Sequence, residues 1–353
     1  MDNNQWLLKD FDYDLPEPLI AAHPLLERDS SRLMIVERDT GGILHKRFSD
    51  IAGFMKKGDL LVLNDTKVMP ARLFGRRPAG GAVEVLAVRR RYFPEDAGGA
   101  NEKEAWICLA RPAKGLKKGG IITFDGGIQA EVLGRTDEGF FVLDFGRAHD
   151  FLEKIGHMPL PPYIKRADTP DDRVRYQTVF AKNIGAVASP TAGLHFTDGL
   201  LNEIKEKGVE PCFVTLHTGP GTFMPVRSDL VSEHSMHPEY YSITMDCFDG
   251  ILRAKKEGRR IIATGSTSLR ALEASVLDGF ASPRLNGFTG LFIYPGFSFR
   301  LVDALITNFH LPRSTLLMLV SAFAGRPLVM KAYMEAIKER YRFYSFGDAM
   351  FFV

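Results

Sequence analysis

The sequence predicts an α/β protein, a larger α/β domain carrying an inserted small antiparallel β-barrel domain. Three observations predict it. Short strand-like runs crowd residues 70–150, strand and helix alternate beyond Ile164, and 353 residues with 45% apolar and 25% charged side chains suffice for two cores. The implied division places residues 1–69 and 151–353 in a discontinuous α/β domain and residues 70–150 in the barrel-like insert.

Runs 32–36 and 43–48 flank Asp39-Thr40-Gly41-Gly42, whose turn residues predict a hairpin. After a turn at Gly58-Asp59, the apolar run 60–63 opens into Asn64-Asp65-Thr66, the pattern of a buried strand feeding a polar, site-lining loop. The strand-rich segment holds runs at 71–77, 83–88, 105–110, 121–124, 128–133 and 140–145, separated by turn glycines such as Gly80-Gly81 and Gly119-Gly120. Farther on, 185–189 reads as a strand and 198–207 as a helix with Thr197 or Asp198 as N-cap and Gly208 just past its end. Residues 209–216 read as the next strand. The same grammar repeats as strand 260–264, polar turn Gly265-Ser266-Thr267, a helix with Leu269, Leu272 and Val276 on one face, and strand 291–294. Ser314 is placed to cap a helix ending at Gly325, and Pro327 suits the first turn of a last helix running to about Arg342.

A formal charge of +2 supplies no whole-molecule field for nucleic acid, so any such affinity must come from a local patch. The basic runs Lys56-Lys57, Arg76-Arg77, Arg89-Arg90-Arg91, Lys117-Lys118, Lys165-Arg166 and Arg259-Arg260 track phosphates only if they share a face, and otherwise are solvated surface. Cys108, Cys212 and Cys247 are odd in number and widely spaced, which suggests reduced core thiols rather than a disulfide framework or metal site. The first residues contain no secretory pattern, and the apolar stretch 316–324 is about half the ~20 residues of a membrane span, so a cytoplasmic location and no membrane are expected.

Four polar segments fall directly after predicted strands or at element boundaries, where open α/β sheets place ligands. Segment 189–197 offers Thr191, Gly193, His195 and a helix N-terminus suited to carboxylate or phosphate, or else is a tight turn with a buried, hydrogen-bonded histidine. Segment 217–223 combines His217, Thr218, Gly219, Gly221 and Thr222, either a backbone cradle for a ligand or an irregular connection. It contains neither GxxxxGK[ST] nor GxGxxG, which disfavours ATP and dinucleotides. Segment 233–239 places Glu233, His234, His237 and Glu239 together. On a helix His234 and His237 would share a face, and a metal, a hydrogen-bond cluster and a proton-transfer group are all open; without HExxH or a cysteine no metal is expected. The fourth comprises Thr307, Asn308 and His310, matched in character by Thr267 and Arg270, an arginine near a helix start that suits carboxylate or phosphate.

In this order the segments resemble one family, the S-adenosylmethionine:tRNA ribosyltransferase-isomerases of the queuosine pathway. The resemblance runs almost end to end through FDYDLP (11–16), NDTKVMPARL (64–73), GHMPLPPYI (156–164), YQTVF (176–180), PTAGLHF (190–196) and HTGPGTF (217–223). It continues through EHSMH (233–237), TSLRALE (267–273), IYPG (293–296), TNFHLP (307–312) and YRFYSFGDAM (341–350). Asp65 stands where the family usually has Asn, Ser189 where it has Ala, and Pro220 lies inside the His217 loop.

The resemblance implies an α/β domain with an inserted barrel, in a transferase and isomerase that moves the ribosyl moiety of S-adenosylmethionine onto an aminomethyl-deazaguanine at the tRNA wobble position. Epoxyqueuosine-tRNA forms, and adenine and methionine leave. S-adenosylmethionine is then a consumed substrate, no cofactor is expected, and the partner is the anticodon loop of queuosine-pathway tRNA, bound by a monomer. It further implies catalytic roles among His195, His217 and His310, unranked as base or acid, with Glu233 and His234 tuning a proton relay. Substrate binding is expected from Asn64, Arg72, Thr191, Gly193, Gly219, Gly221, Thr222, Thr267, Arg270 and Asn308, with Arg270 or the helix N-terminus after His195 on the methionine carboxylate. The competing readings are a metal-dependent hydrolase using His234 and His237 and a non-catalytic RNA-binding module using the basic barrel.

Overall fold

Apolar runs that are buried on both faces assemble into one large mixed sheet. The computed structural model describes residues 5–77, 79–91, 105–146 and 150–353, apart from the side chains of residues 222 and 223. β1 (Arg32–Val36) and β2 (Ile43–Arg47) form the predicted hairpin, β3 (Leu60–Asn64) is the predicted buried strand, and β4 (Thr66–Val68) leads towards the barrel. Next come β5 (Arg72–Arg76), β6 (Ala82–Arg90), β7 (Ala105–Arg111), β8 (Ile121–Phe124), β9 (Gln129–Arg135) and β10 (Phe141–Asp144). These six close into an antiparallel barrel in the order β10-β7-β6-β5-β8-β9. Small and medium apolar side chains such as Leu73, Val85, Cys108, Ile122 and Val132 fill it.

The rest of the chain supplies α1 (Phe151–Ile155), α2 (Asp172–Arg175), β11 (Asn183–Ala186), α3 (Asp198–Glu206), β12 (Glu210–Leu216), β13 (Glu239–Ile243) and α4 (Met245–Lys256). It ends with β14 (Ile261–Thr264), α5 (Gly265–Ser275), β15 (Asn286–Thr289), β16 (Ala304–Asn308), α6 (Thr315–Ala324), α7 (Arg326–Lys338) and β17 (Ala349–Phe352). The large sheet has the order β15-β13-β12-β3-β14-β16-β17-β1-β2, and its centre, β12-β3-β14-β16, is parallel throughout. On β3, Leu60 and Val62 face one core while Leu61 and Leu63 face the other, as a strand covered on both sides must. Helix ends follow the capping rules: the hydroxyls of Thr197 and Ser314 accept from the Leu200 and Leu317 amides at 3.1 and 3.2 Å, and Gly208 takes φ +84° after α3.

Five local expectations need correction. Residues 187–189 are irregular, and β11 pairs only with β4, because the Asp65 carbonyl captures the Lys182 and Asn183 amides and ties this segment to β4. The strand expected at 291–294 is instead β15, at 286–289; the Leu291 carbonyl is taken by Arg270 rather than by a ladder. Gly265-Ser266-Thr267 is no turn but the first turn of α5, which can start at once after β14 because Gly265 adopts φ +84°. The last helix ends at Lys338. Cys212 and Cys247 are disulfide-bonded, since β12 and the first turn of α4 bring their Cα atoms to 5.8 Å, a proximity that linear spacing hides; Cys108 is the buried free thiol. No single helix among the described residues is long and apolar enough to cross a membrane; α6 and α7 meet the criterion only jointly and are bent by 116°.

Glu273, 1% exposed near the end of α5, accepts from the amides of Arg300, Leu301 and Val302 at 2.9, 3.0 and 3.0 Å. It thereby fixes where the chain enters β16 relative to α5. Glu273→Ala strands these donors and should cost on the order of 3 kcal/mol, read from urea unfolding. Glu273→Gln, which keeps one acceptor oxygen, should recover part of that loss; equal stability of all three proteins would refute this role.

Candidate functional site

The four parallel strands end together at Leu216, Asn64, Thr264 and Asn308, and the polar segments singled out in the sequence lie at or beyond these ends. Here they border a cleft at the carboxyl ends of the strands, where open α/β sheets place ligands. Thr191, Thr267, Arg270, Asn308 and His310 line it, so five of the fifteen residues expected to act on substrate converge there.

Arg270 lies in the second turn of α5 and is 5% exposed. Its Nε donates to the Leu291 carbonyl at 2.9 Å and its Nη1 to the Glu239 carboxylate. The other Glu239 oxygen accepts the Gly219 amide at 2.7 Å, so Glu239 links the guanidinium to the His217 loop. Nη2 is buried, finds no partner among the described residues, and belongs to a residue bordering the cleft. Beside it, α5 begins without a side-chain cap, and the Thr267 hydroxyl is likewise buried and unpartnered. A guanidinium nitrogen and an uncapped helix N-terminus are each chemically suited to a carboxylate.

Asn308 ends β16. Its amide nitrogen faces His195 Nε2 at 3.0 Å and the Tyr344 and Asp348 carbonyls at 3.3 and 3.4 Å. Two carbonyl acceptors dictate that the NH2 group points this way, which leaves Oδ1 buried and without a partner among the described residues. His195 Nε2 must then accept, and Nδ1 carries the proton towards Ser31 Oγ at 2.7 Å. The ring stacks on Phe48 at 4.9 Å, and burial, with smaller contributions from Arg28 and Arg342, pushes its pKa down to about 3. His195 stands behind the cleft, against a smaller cavity shared with Arg28 and Arg175. His310 borders the cleft itself. Its Nε2 meets Thr307 Oγ1 at 2.8 Å, its backbone amide donates to Tyr333 Oη at 3.0 Å, and burial pushes its pKa to about 3.

The other expected residues lie elsewhere. His217 Nδ1 meets Thr66 Oγ1 at 2.8 Å, and burial lowers its pKa against the opposing pull of Asp65; of this loop, Thr218 borders the cleft. Asn64 joins the ends of β3 and β12, its Oδ1 accepting the Leu216 and Thr66 amides at 3.0 and 3.1 Å and its nitrogen donating to the Leu216 carbonyl at 3.0 Å. Arg72 forms a two-point pair with Glu84 in the barrel at 2.9 and 3.0 Å. Gly193 gives room to Thr178, whose Cγ2 would lie 2.8 Å from an added Cβ, and Gly221 packs beside His237. The Thr222 side chain lies outside the described residues. Glu233 closes a short 3-10 turn and His234 is extended, so His234 and His237 share no helix face. Their rings contact Phe292 and Phe140 respectively, and burial, then His237, lowers the His234 pKa. Among the described residues no group of three or more His, Cys, Asp or Glu is arranged to hold an ion.

Tyr163, Tyr344 and Ser345 also line the cleft and lie outside the four polar segments, whereas Ser189, Thr218 and Phe309, which line it too, lie within them. Tyr163, Tyr344 and Ser345 do sit in GHMPLPPYI and YRFYSFGDAM, whose density of aromatic and small polar residues was the available signal. The Tyr163 and Tyr344 rings lie 4.6 Å apart, giving the cleft an aromatic wall.

Residues 8–352 match the family described as queuosine biosynthesis protein. The S-adenosylmethionine:tRNA ribosyltransferase-isomerase of Pelobacter propionicus is 51% identical over 348 residues, 98% of this chain and 99% of that protein. The crystal structure of the S-adenosylmethionine tRNA ribosyltransferase of Thermotoga maritima, at 2.00 Å resolution, superposes with a TM-score of 0.54 at 39% identity, covering 98% of this chain and 100% of that one. With its mixed sheet, its closed barrel and a match over nearly its whole length, the chain belongs to the queuosine biosynthesis protein family.

Proposed function

We propose that the protein transfers and isomerises the ribosyl moiety of S-adenosylmethionine onto the aminomethyl-deazaguanine at the wobble position of tRNA, forming epoxyqueuosine and releasing adenine and methionine. The observation that carries this reading is the cleft's set of buried, unpartnered polar groups: Arg270 Nη2, Thr267 Oγ1 and Asn308 Oδ1. An amino-acid end group matches them. Its carboxylate suits Arg270 and the N-terminus of α5, and Asn308 Oδ1, held outward by its fixed amide, suits an N–H donor such as the ammonium. The aromatic wall of Tyr163 and Tyr344 suits a sulfonium cation or an adenine ring.

The sulfonium acidifies the neighbouring C5′ hydrogens, so a base within reach generates an ylide whose collapse expels adenine. His310 takes that role in this reading, because it alone of the three candidate histidines borders the cleft. Burial disfavours an imidazolium there, yet the transfer moves positive charge from sulfur to the ring and creates no new charge. His195 acts as a positioning residue behind Asn308. S-adenosylmethionine is consumed, so no cofactor is invoked, and the protein acts as a cytoplasmic monomer on the anticodon loop.

The direct test incubates the protein with S-adenosylmethionine and tRNA bearing the aminomethyl base, then measures adenine and the modified nucleoside by mass spectrometry. Both products should appear, and only with that tRNA. A folded protein that binds the tRNA and yields neither would favour an RNA-binding module. His310→Ala should lower adenine release by about 10²-fold or more. Arg270→Lys, which keeps the charge but not the guanidinium fork, should raise the KM for S-adenosylmethionine by about 10-fold with less effect on kcat. An unchanged KM would remove Arg270 from the binding role.

Acid stability follows from the same burial. His195 and His310 have folded pKa values near 3 against an ordinary 6.5, so between these values the unfolded chain binds more protons. Their contribution is fully present above pH 6.5 and is lost as the pH falls towards 3. Melting temperatures from pH 7.5 to 4.5 should therefore decline, and His195→Gln should make the decline shallower; identical slopes would contradict a neutral, buried His195.

A further inference from the structure

Three aromatic rings from neighbouring strands stand in one row across the large sheet. His217 follows β12 directly and its amide donates to the Tyr240 carbonyl of β13 at 2.9 Å, while Tyr240 faces Phe288 in the β13–β15 ladder. The His217 and Tyr240 rings lie 5.9 Å apart at 24°, and those of Tyr240 and Phe288 5.6 Å apart at 69°. Exposure grows outwards, from a partly buried His217 through Tyr240 at 37% to Phe288 at 59%, on the edge strand. Beyond it the exposed Arg89 of β6 holds its guanidinium 5.5 Å from the Phe288 ring centre, just after a register shift between Ala87 and Arg89. Glu138 lies within the field of Arg89. At the inner end, Thr218, next to His217, borders the cleft.

Cross-strand packing explains why Tyr240 and Phe288 touch, but not why the outermost ring is left largely in water beside an arginine from the barrel. Rings displayed singly on adjacent strands, ending in a cation, suit unstacked nucleobases joined by phosphates; a flat protein partner would call for a broad apolar patch. We propose that the row Phe288-Tyr240, with Arg89 at its outer end, stacks unpaired bases of an RNA loop and leads that loop along the sheet to the cleft. The proposal rests on the tRNA-modifying reading for the identity of the RNA and on geometry for the surface.

Its test uses the intact protein and a fluorescent anticodon stem-loop RNA, with affinity measured by anisotropy. Tyr240→Ala/Phe288→Ala should weaken binding by about 10-fold or more and raise the KM for tRNA, while the KM for S-adenosylmethionine and the melting temperature stay near wild type. Phe288→Trp should restore affinity, and Arg89→Ala should reduce the slope of log affinity against log salt by about one. Unchanged RNA affinity in the folded double variant would overturn the proposal, as would a loss that tracks falling stability and is not rescued by tryptophan. So would a wild-type dimer that the double variant breaks with RNA affinity intact, which would mark a self-contact. If RNA binding depends on the row while wild type releases no adenine, the surface stands and the catalytic reading fails.

Discussion

The parallel alignment of β12, β3, β14 and β16 governs this molecule. Parallel strands are buried on both faces, so their interiors are apolar and polar residues are displaced to the strand ends. At the carboxyl ends the chain must leave the ladder, and each exit exposes backbone groups that demand partners. Asn64 satisfies those between β3 and β12 with its own amide, α5 begins directly at the end of β14, and Asn308 is held by the carbonyls of Tyr344 and Asp348. The cleft is the place where this bookkeeping is left incomplete.

Incomplete satisfaction inside a folded protein has a direction. Arg270 and Glu239 form a buried ion pair, and such pairs rarely add stability beyond what apolar side chains of equal volume would give. Here the pair fixes geometry: Glu239 holds the guanidinium on one side and the Gly219 amide on the other, so α5 and the His217 loop share one anchor. The guanidinium nitrogen left over is oriented by bonds already made, and a carboxylate meeting it loses little conformational freedom from the protein side.

The barrel, the hairpin and most helix boundaries were legible because they depend on local signals: alternation, turn glycines, and the caps Thr197 and Ser314. The failures concern groups recruited from afar. A strand at 291–294 is a sound reading of its apolar residues until Arg270 takes the Leu291 carbonyl. Cys212 and Cys247 become neighbours only when α4 packs on β12. Of the residues that chemistry alone suggested, Arg270, Asn308 and His310 come to line the cleft, whereas His195, His217 and Asn64 lie outside its lining and bond to Ser31, Thr66 and Leu216. A sequence lists polar groups without saying which are already bonded.

In the proposed reaction, that distinction separates the histidines by role. A ring with both nitrogens bonded, as in His195, can transmit orientation but has no free site for a proton from substrate. His310 has Nε2 on Thr307 and belongs to the cleft wall, and burial keeps it neutral. A buried imidazole with so low a pKa is a weak base before substrate binds. Once the cation is enclosed, the comparison is between positive charge on sulfur and positive charge on the ring within one desolvated volume. Burial then penalises both sides of the transfer, so the depressed pKa of the free protein overstates the cost of the step, and a buried histidine is compatible with proton abstraction here where it would not be from a neutral acid.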